Sequence, residues 1–290
     1  MFLQQIINSI TIGGVYSLVA VGYTLVYGVL GLINFSHGSI YTFGAFFAYT
    51  LMAKVGLPFG AAFVGSMLLT SMLGFIVERS GYYPVRKSPV ISQIVSVVAV
   101  SIILDNVAML IWGSASKSFP TVSLPKAFSI GAVNVSLMQV LIIALAFVIM
   151  LFLFFLVYKT KVGTSMRATS LDVDAARLMG INVERVRLMT FCLSAALASS
   201  AGSLIGVYYG SVVFNMGYGV VIKAFVVAIL GGMGNVVGAM IGGLMLGTIE
   251  TFGAAYISSG WKDAFAYIVL VIVLLFKPSG LLGSYEQEKV

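Results

Sequence analysis

Few residues of this chain sit where acid–base, metal or nucleophilic chemistry would need them. Inside its apolar runs the ionisable side chains are His37, Asp105, Lys223 and Glu250. A charge in such surroundings costs about 3 kcal/mol or more unless it is paired or wetted, so each is a functional candidate. His37 is the one histidine, which excludes a multi-histidine metal site, and a lone imidazole is more often a hydrogen-bonded packing residue. Asp105, with Asn106 beside it, and Glu250 could face a passage or pair with Lys223; the ion pair is the preferred reading. Proton relays use more buried acids than this. The one cysteine, Cys192, cannot form an intrachain disulfide and reads as a small buried hydrophobe. No Walker A loop, Gly-x-Ser-x-Gly elbow or His-Glu-x-x-His pair occurs. The expectation is therefore no catalytic residues, no metal and no cofactor held by this chain.

The elements that position these residues follow from composition. Sixty per cent of the 290 residues are hydrophobic, 9% are charged, and mean hydropathy is +1.09. Soluble domains carry about a quarter charged residues, so lipid must cover part of this surface. The N-terminus lacks a basic region and a cleavage signature and reads as retained. A hydrocarbon core of about 30 Å takes roughly 20 helical residues. Runs of that kind lie at 6–30, 32–53, 59–77, 90–112, 136–158, 188–210, 217–233, 236–256 and 264–276. The first pair and the 217–256 pair are crowded, so either could hold a broken or re-entrant element. No span shows the alternation of a membrane β-barrel. The fold class is an all-α integral membrane protein, one polytopic bundle of eight or nine spans without a domain boundary. No internal repeat is clear, although the openings of the first and seventh spans are loosely alike.

The net charge of +7 fits the positive-inside bias better than nucleic-acid binding. Lys159, Lys161, Arg167, Arg177, Arg185, Arg187, Arg79, Arg86, Lys87, Lys277 and Lys289 fall in one set of loops; Lys54, Lys117, Lys126 and Lys262 fall in the alternate set. Loop 159–187 and the C-terminus are accordingly expected on the cytoplasmic side. Nine spans would put the N-terminus outside, and eight would put it inside.

Three local patterns stand out. In TSLDVDAARLMGI, Thr169 with Asp172 has capping-box form, Asp172 and Asp174 favour a helix N-terminus, and Leu171, Ala175 and Leu178 make an apolar stripe. Gly180 is placed to stop that helix. Its two readings are a surface helix on lipid headgroups and a docking helix for a partner. Asn34, Ser36 and His37, between Gly31 and Gly38, mark either a helix break lining a cavity or an Asn34 N-cap in a tight turn at the membrane surface. The surface turn is favoured, because it would lie at the end of the first span. Gly234, Gly238 and Gly242 repeat every four residues, as do Gly243 and Gly247, and suit close intrachain helix packing. Gly231 to Asn235 reads as a flexible turn or a break in the span.

Asp174-Ala175-Ala176-Arg177-Leu178-Met179-Gly180 resembles the Glu-Ala-Ala-x-x-x-Gly coupling loop of ABC-importer permeases, with aspartate for the first glutamate. The stretches Gly13–Phe46, Lys223–Gly243 and Phe276–Gly283 are similar to branched-chain amino acid permeases of the Liv-H type. The resemblance implies an ATP-driven importer of the bacterial inner membrane. Its expected partners are a second permease, two cytoplasmic ATPases that use the ATP, and a periplasmic solute-binding protein. Relatives in the same superfamily move urea or short amides, and these motifs do not fix the solute. The competing reading, a self-sufficient secondary transporter or channel, has Asp105, Glu250 and Asn34 as its selectivity candidates. An intramembrane enzyme lacks any nucleophile–base set.

Overall fold

The computed structural model describes residues 2–122, 128–130 and 133–283. Eleven α-helices follow in chain order: α1 (Phe2–Leu30), α2 (His37–Ala53), α3 (Phe59–Val77), α4 (Val90–Trp112), α5 (Leu137–Lys159), α6 (Lys161–Leu171), α7 (Val173–Leu178), α8 (Val183–Tyr209), α9 (Gly217–Gly231), α10 (Val236–Tyr256) and α11 (Lys262–Phe276). Strand β1 (Lys117–Ser118) pairs antiparallel with β4 (Ser211–Val212), and β2 (Phe128–Ile130) pairs with β3 (Val133–Val135).

Local chemistry explains most of the boundaries. Pro58 and Pro89, whose missing N–H costs nothing there, precede the first residues of α3 and α4. Ser136 and Gln139 form a reciprocal capping box that starts α5. Among the described residues seven helices, counting short irregular extensions of α3 and α11, are long and apolar enough to cross a membrane. Two shorter helices, α2 with 17 residues and the apolar α9 with 15, lie at the two crowded places in the sequence.

Packing follows from which helices carry small polar residues. The apolar window of α1 is 94% buried and that of α8 is 72% buried, against 11% for α4 and 6% for α11. Helix α1 contributes Ser9, Thr11, Ser17 and Thr24 to the interior, and α8 contributes Ser194, Ser199, Ser200 and Ser203. Helix α5, LMQVLIIALAFVIMLFLFFLVYK, has almost nothing that lipid would refuse and sits at the periphery. In lipid, apolar surface gains little by hiding, so small residues and interhelical hydrogen bonds select the interior. Examples are Ser17 Oγ donating to Met240 O (2.7 Å) and Ser71 Oγ to Cys192 O (2.9 Å).

The glycines of the 234–247 region split three ways. Gly243 and Gly247 abut Ser17 and Gly13 of α1, while Gly238 and Gly242 abut Gly231 and Val227 of α9. Gly234 lies outside α10, in the turn before it, with φ +87° and against Gly28. The close intrachain packing expected from the four-residue repeat is therefore divided between α1 and α9, with Gly234 in a turn.

Helices α2 and α8 approach as closely: a Cβ on Gly44 would fall on Ser199. Gly44→Val should cost roughly 1–3 kcal/mol through overpacking, whereas Gly60→Ala, with no atom within 4 Å of its added carbon, should be silent. Thermal unfolding of both variants in detergent measures the contrast.

Candidate functional site

The first span ends where Gly31, at φ +63°, donates its N–H to Tyr27 O (2.8 Å). Instead of a turn at the surface, the chain re-enters the bundle. Leu32, Asn34, Ser36 and His37 are all buried. His37 Nε2 lies 3.1 Å from Val19 O, eleven residues before the end of α1, which is about 16 Å of helix. The surface-turn expectation for Asn34 is thus corrected. Helix α2 begins after Ser36, and Asn34 Oδ1 accepts from Ser36 N–H (3.2 Å) and Ser36 Oγ–H (2.6 Å) within the break.

His37 joins three helices. Its Nε2–H donates to the Val19 carbonyl, which fixes Nδ1 as the acceptor for Ser194 Oγ–H (3.2 Å). Tyr23 meets the ring edge-on at 6.0 Å. Both ring nitrogens are used, so His37 is a positioning residue of the break.

Helix α9 begins inside the bundle as well. Gly217 N–H donates to Thr42 Oγ1 (3.0 Å), and Gly217 and Gly38 touch backbone to backbone. From this meeting point the two short helices run apart. Helix α2 rises to Thr50, which accepts from Trp112 Nε1 (2.9 Å) at the end of α4. Helix α9 runs to the opposite face, where Gly28 and Gly234 meet.

Beside the start of α9 lies a charged cluster. Lys223 Nζ is 2.8 Å from Glu250 Oε1 and 2.8 Å from Asp263 Oδ1, and it donates to Tyr16 Oη (3.1 Å). Tyr16 Oη–H in turn donates to Glu250 Oε2 (2.7 Å). Glu250 is fully buried, while Asp263 is 75% exposed. The cluster ties α1, α9, α10 and α11. It borders a cavity of about 180 Å³ that is otherwise lined by Lys262 and by apolar and tyrosine side chains.

Asp105 does not join it. That residue turns towards Ser39 of α2, and Asn106 is exposed with its amide donating to its own helix at Ile102 O (2.7 Å). The pairing expected for Asp105 with Lys223 is corrected: α4 is peripheral, and Asp263 takes that place. Sequence reading missed Asp263, Tyr16 and Thr42. Asp263 had a signal, since it stands next to Lys262 at the start of a span; the other two are joined to their partners only by the fold.

The other face carries Arg79, Arg86, Arg167, Arg187 and the pair α6–α7. Arg86 reaches Glu184 (3.2 Å) across from the end of α3 to the start of α8. Met166 of α6 packs with Val29 of α1 and Val186 of α8. The expected Thr169 cap is replaced: Thr169 lies inside α6 and donates to Ser165 O, and Asp172 Oδ1 alone caps α7, accepting from Asp174 N–H (2.8 Å) and Ala175 N–H (2.9 Å). Arg177 pairs with Asp174 at 3.1 Å on the surface. Gly180, at φ +80°, and Ile181 close the helix by donating to Arg177 O and Ala176 O. Ala176 is buried, whereas Leu171, Leu178 and Met179 are 83–89% exposed.

On this same face the turn Gly231–Asn235 is held by residues that follow α11. Leu281 N–H donates to Leu230 O (2.8 Å), Leu282 N–H to Gly231 O (3.1 Å), and Asn235 Nδ2 to Leu282 O (2.8 Å). Asn235 Oδ1 also caps α10 through Gly238 N–H (2.9 Å). A larger cavity, about 720 Å³, opens here between the end of α1, the α6–α7 connection and this turn. Lys126 and Lys289 lie outside the described residues. Among the described residues no three His, Cys, Asp or Glu side chains gather as a metal site.

Removing one partner of a buried ion pair leaves the other uncompensated. Lys223→Met should therefore cost roughly 3–5 kcal/mol, Glu250→Gln less because Lys223 keeps Asp263, and the double variant should recover most of the loss. Thermal unfolding of the three variants in detergent gives the cycle.

Comparison with known proteins agrees with this architecture. Residues 5–274 match the family model described as branched-chain amino acid transport system, permease component. The high-affinity branched-chain amino acid transport system permease protein BraD of Pseudomonas aeruginosa is 41% identical, over 100% of this chain and 98% of its own length. The corresponding LivH protein of Escherichia coli K12 is 39% identical with the same coverage. Among solved structures, PsaBC from Streptococcus pneumoniae in complex with Fab shares the fold, at 14% identity and a TM-score of 0.50 over 94% of this chain and 91% of that one. The chain is an integral membrane protein and belongs to the branched-chain amino acid transport system permease family.

Proposed function

We propose that the whole chain, residues 1–290, is a permease subunit of an ATP-driven inner-membrane importer of branched-chain amino acids. It works with separate ATPases, a second permease and a solute-binding protein. Loop 159–187 and the C-terminus lie on the cytoplasmic side, and the start of α1 lies outside. The α2 and α9 helices, entering the bundle from opposite sides, complete the membrane crossing alongside the seven longer helices. Nucleotide is used by the ATPases, so this chain needs no cofactor.

The observation that carries the reading is α7. A six-residue helix is too short to persist alone, yet Asp172 and Gly180 cap both of its ends. It buries Ala176, and Leu178 on the helix, with Leu171 before it and Met179 after it, is exposed. Exposed apolar side chains on a firmly capped helix suit a partner's groove. Helix α6 links that surface to the bundle through the Met166 cluster with α1 and α8. Helix α8 holds Ser194 against His37, and α1 holds Val19 against the same ring. A push on α7 therefore reaches the break between α1 and α2 through two packed helices.

Two measurements test this. Gly180→Pro removes the N–H bonded to Arg177 and forbids φ near +80°; with Leu178→Asp, it should reduce leucine uptake by vesicles to background while the binding protein still takes up solute. Normal uptake by both variants would sink the coupling role. A cysteine at the exposed position of Ser170 should react with an impermeant thiol reagent only in inside-out vesicles; labelling from the outer side overturns the orientation.

A further inference from the structure

We infer that the 180 Å³ cavity beside Lys223 is a transit site for one zwitterionic amino acid with a branched aliphatic side chain. This deepens the importer reading and rests on it. The first turn of α9, with Gly219 and Val220, forms one wall and brings the positive end of a helix dipole. A helix end alone would not make a site. The second observation is Tyr41, which lines the cavity, is fully buried, and has a hydroxyl without a hydrogen-bond partner among the described residues. An unpaired buried hydroxyl is unfavourable, and a bound solute would satisfy it.

The polarity of the cavity matches the two ends of such a solute. Ile12, Val15 and Ile205 offer an apolar wall for the side chain. The headgroup meets Lys223, Lys262, Tyr41 and the α9 terminus, all of which favour a carboxylate, and Asp263, which favours an ammonium. The Lys223–Glu250 pair is buried and stays. The Lys223–Asp263 pair is different, because Asp263 is 75% exposed and water competes for it, although Lys223 itself is mostly buried. An entering zwitterion can exchange with it: the carboxylate takes the place of Asp263 on Lys223, and the ammonium takes the place of Lys223 on Asp263. Charge is conserved, so the exchange strands no ion in the membrane. The volume is right for a small solute, several times the roughly 30 Å³ that one water occupies.

The test uses the complete importer in proteoliposomes, with Cys192→Ser to clear the native thiol. A Gly219→Cys reporter adds a side chain where no atom lies within 4 Å. Millimolar leucine should slow its reaction with a small methanethiosulfonate reagent, and glycine should slow it less. Tyr41→Phe and Asp263→Asn should each weaken the protection several-fold. Neither change leaves a buried group unpaired, so both proteins should fold. No protection by leucine, equal protection in both variants, or a reporter that never reacts overturns the site. Leucine transport measured in the same vesicles separates the two readings. Transport without protection removes the transit site alone, and no transport of any branched-chain amino acid removes the importer assignment.

Discussion

A hydrocarbon interior offers no partner for a backbone N–H or C=O, and this protein breaks its helices twice inside the bundle. Irregular backbone at membrane depth survives only where the protein itself supplies the missing hydrogen bonds. The residues between Gly31 and His37 and the start of α9 at Gly217 meet part of that condition, for the N–H groups of Gly31, Ser36, His37 and Gly217. Asn34 serves Ser36, Val19 and Ser194 serve His37, and Thr42 serves Gly217. Glycines let the chains come close enough for these bonds to form. The surrounding long helices must be where they are for the two short ones to start inside the bundle at all.

This requirement explains the distribution of polar side chains. Helices α1 and α8 flank the breaks and carry the serines and threonines, and they are the buried ones. Helices α4, α5 and α11 have the least buried apolar windows, and α5 and α11 are almost uniformly apolar. The charged residues obey the same logic. Lys223 and Glu250 are tolerated because each offers the other what water would have supplied, with Tyr16 completing the set. The bundle has a cavity beside Lys223 and a larger one beside the Gly231–Asn235 turn.

How much of this was legible in the sequence differs by element. The nine apolar runs correspond to nine helices, and the boundaries at Pro89, Ser136 and Asn235 are signalled by residues whose local chemistry acts within one turn. The stop at Gly180 was readable for the same reason. The depth of His37 was not. Asn34 in a surface turn and Asn34 in a buried break have the same neighbours in the chain, and only contacts with α1 and α8 separate them. Thr169 misled because capping-box spacing also occurs inside a continuing helix, and α6 runs through it.

By itself, the sequence determined what depends on local order: lipid-embedded helices, their termini, the capped segment around Asp172–Gly180 and the asymmetry of basic loops. Hydropathy, capping and charge counting all act over a few residues, which is why they can be read without a fold. Only the tertiary structure decided which partner each buried polar group meets. Lys223 chose Glu250 and Asp263 over Asp105, and the four-residue glycine repeat was shared between α1 and α9. Those pairings join residues up to 234 positions apart. Their energies depend on distance in space, and no local pattern along the chain carries that information.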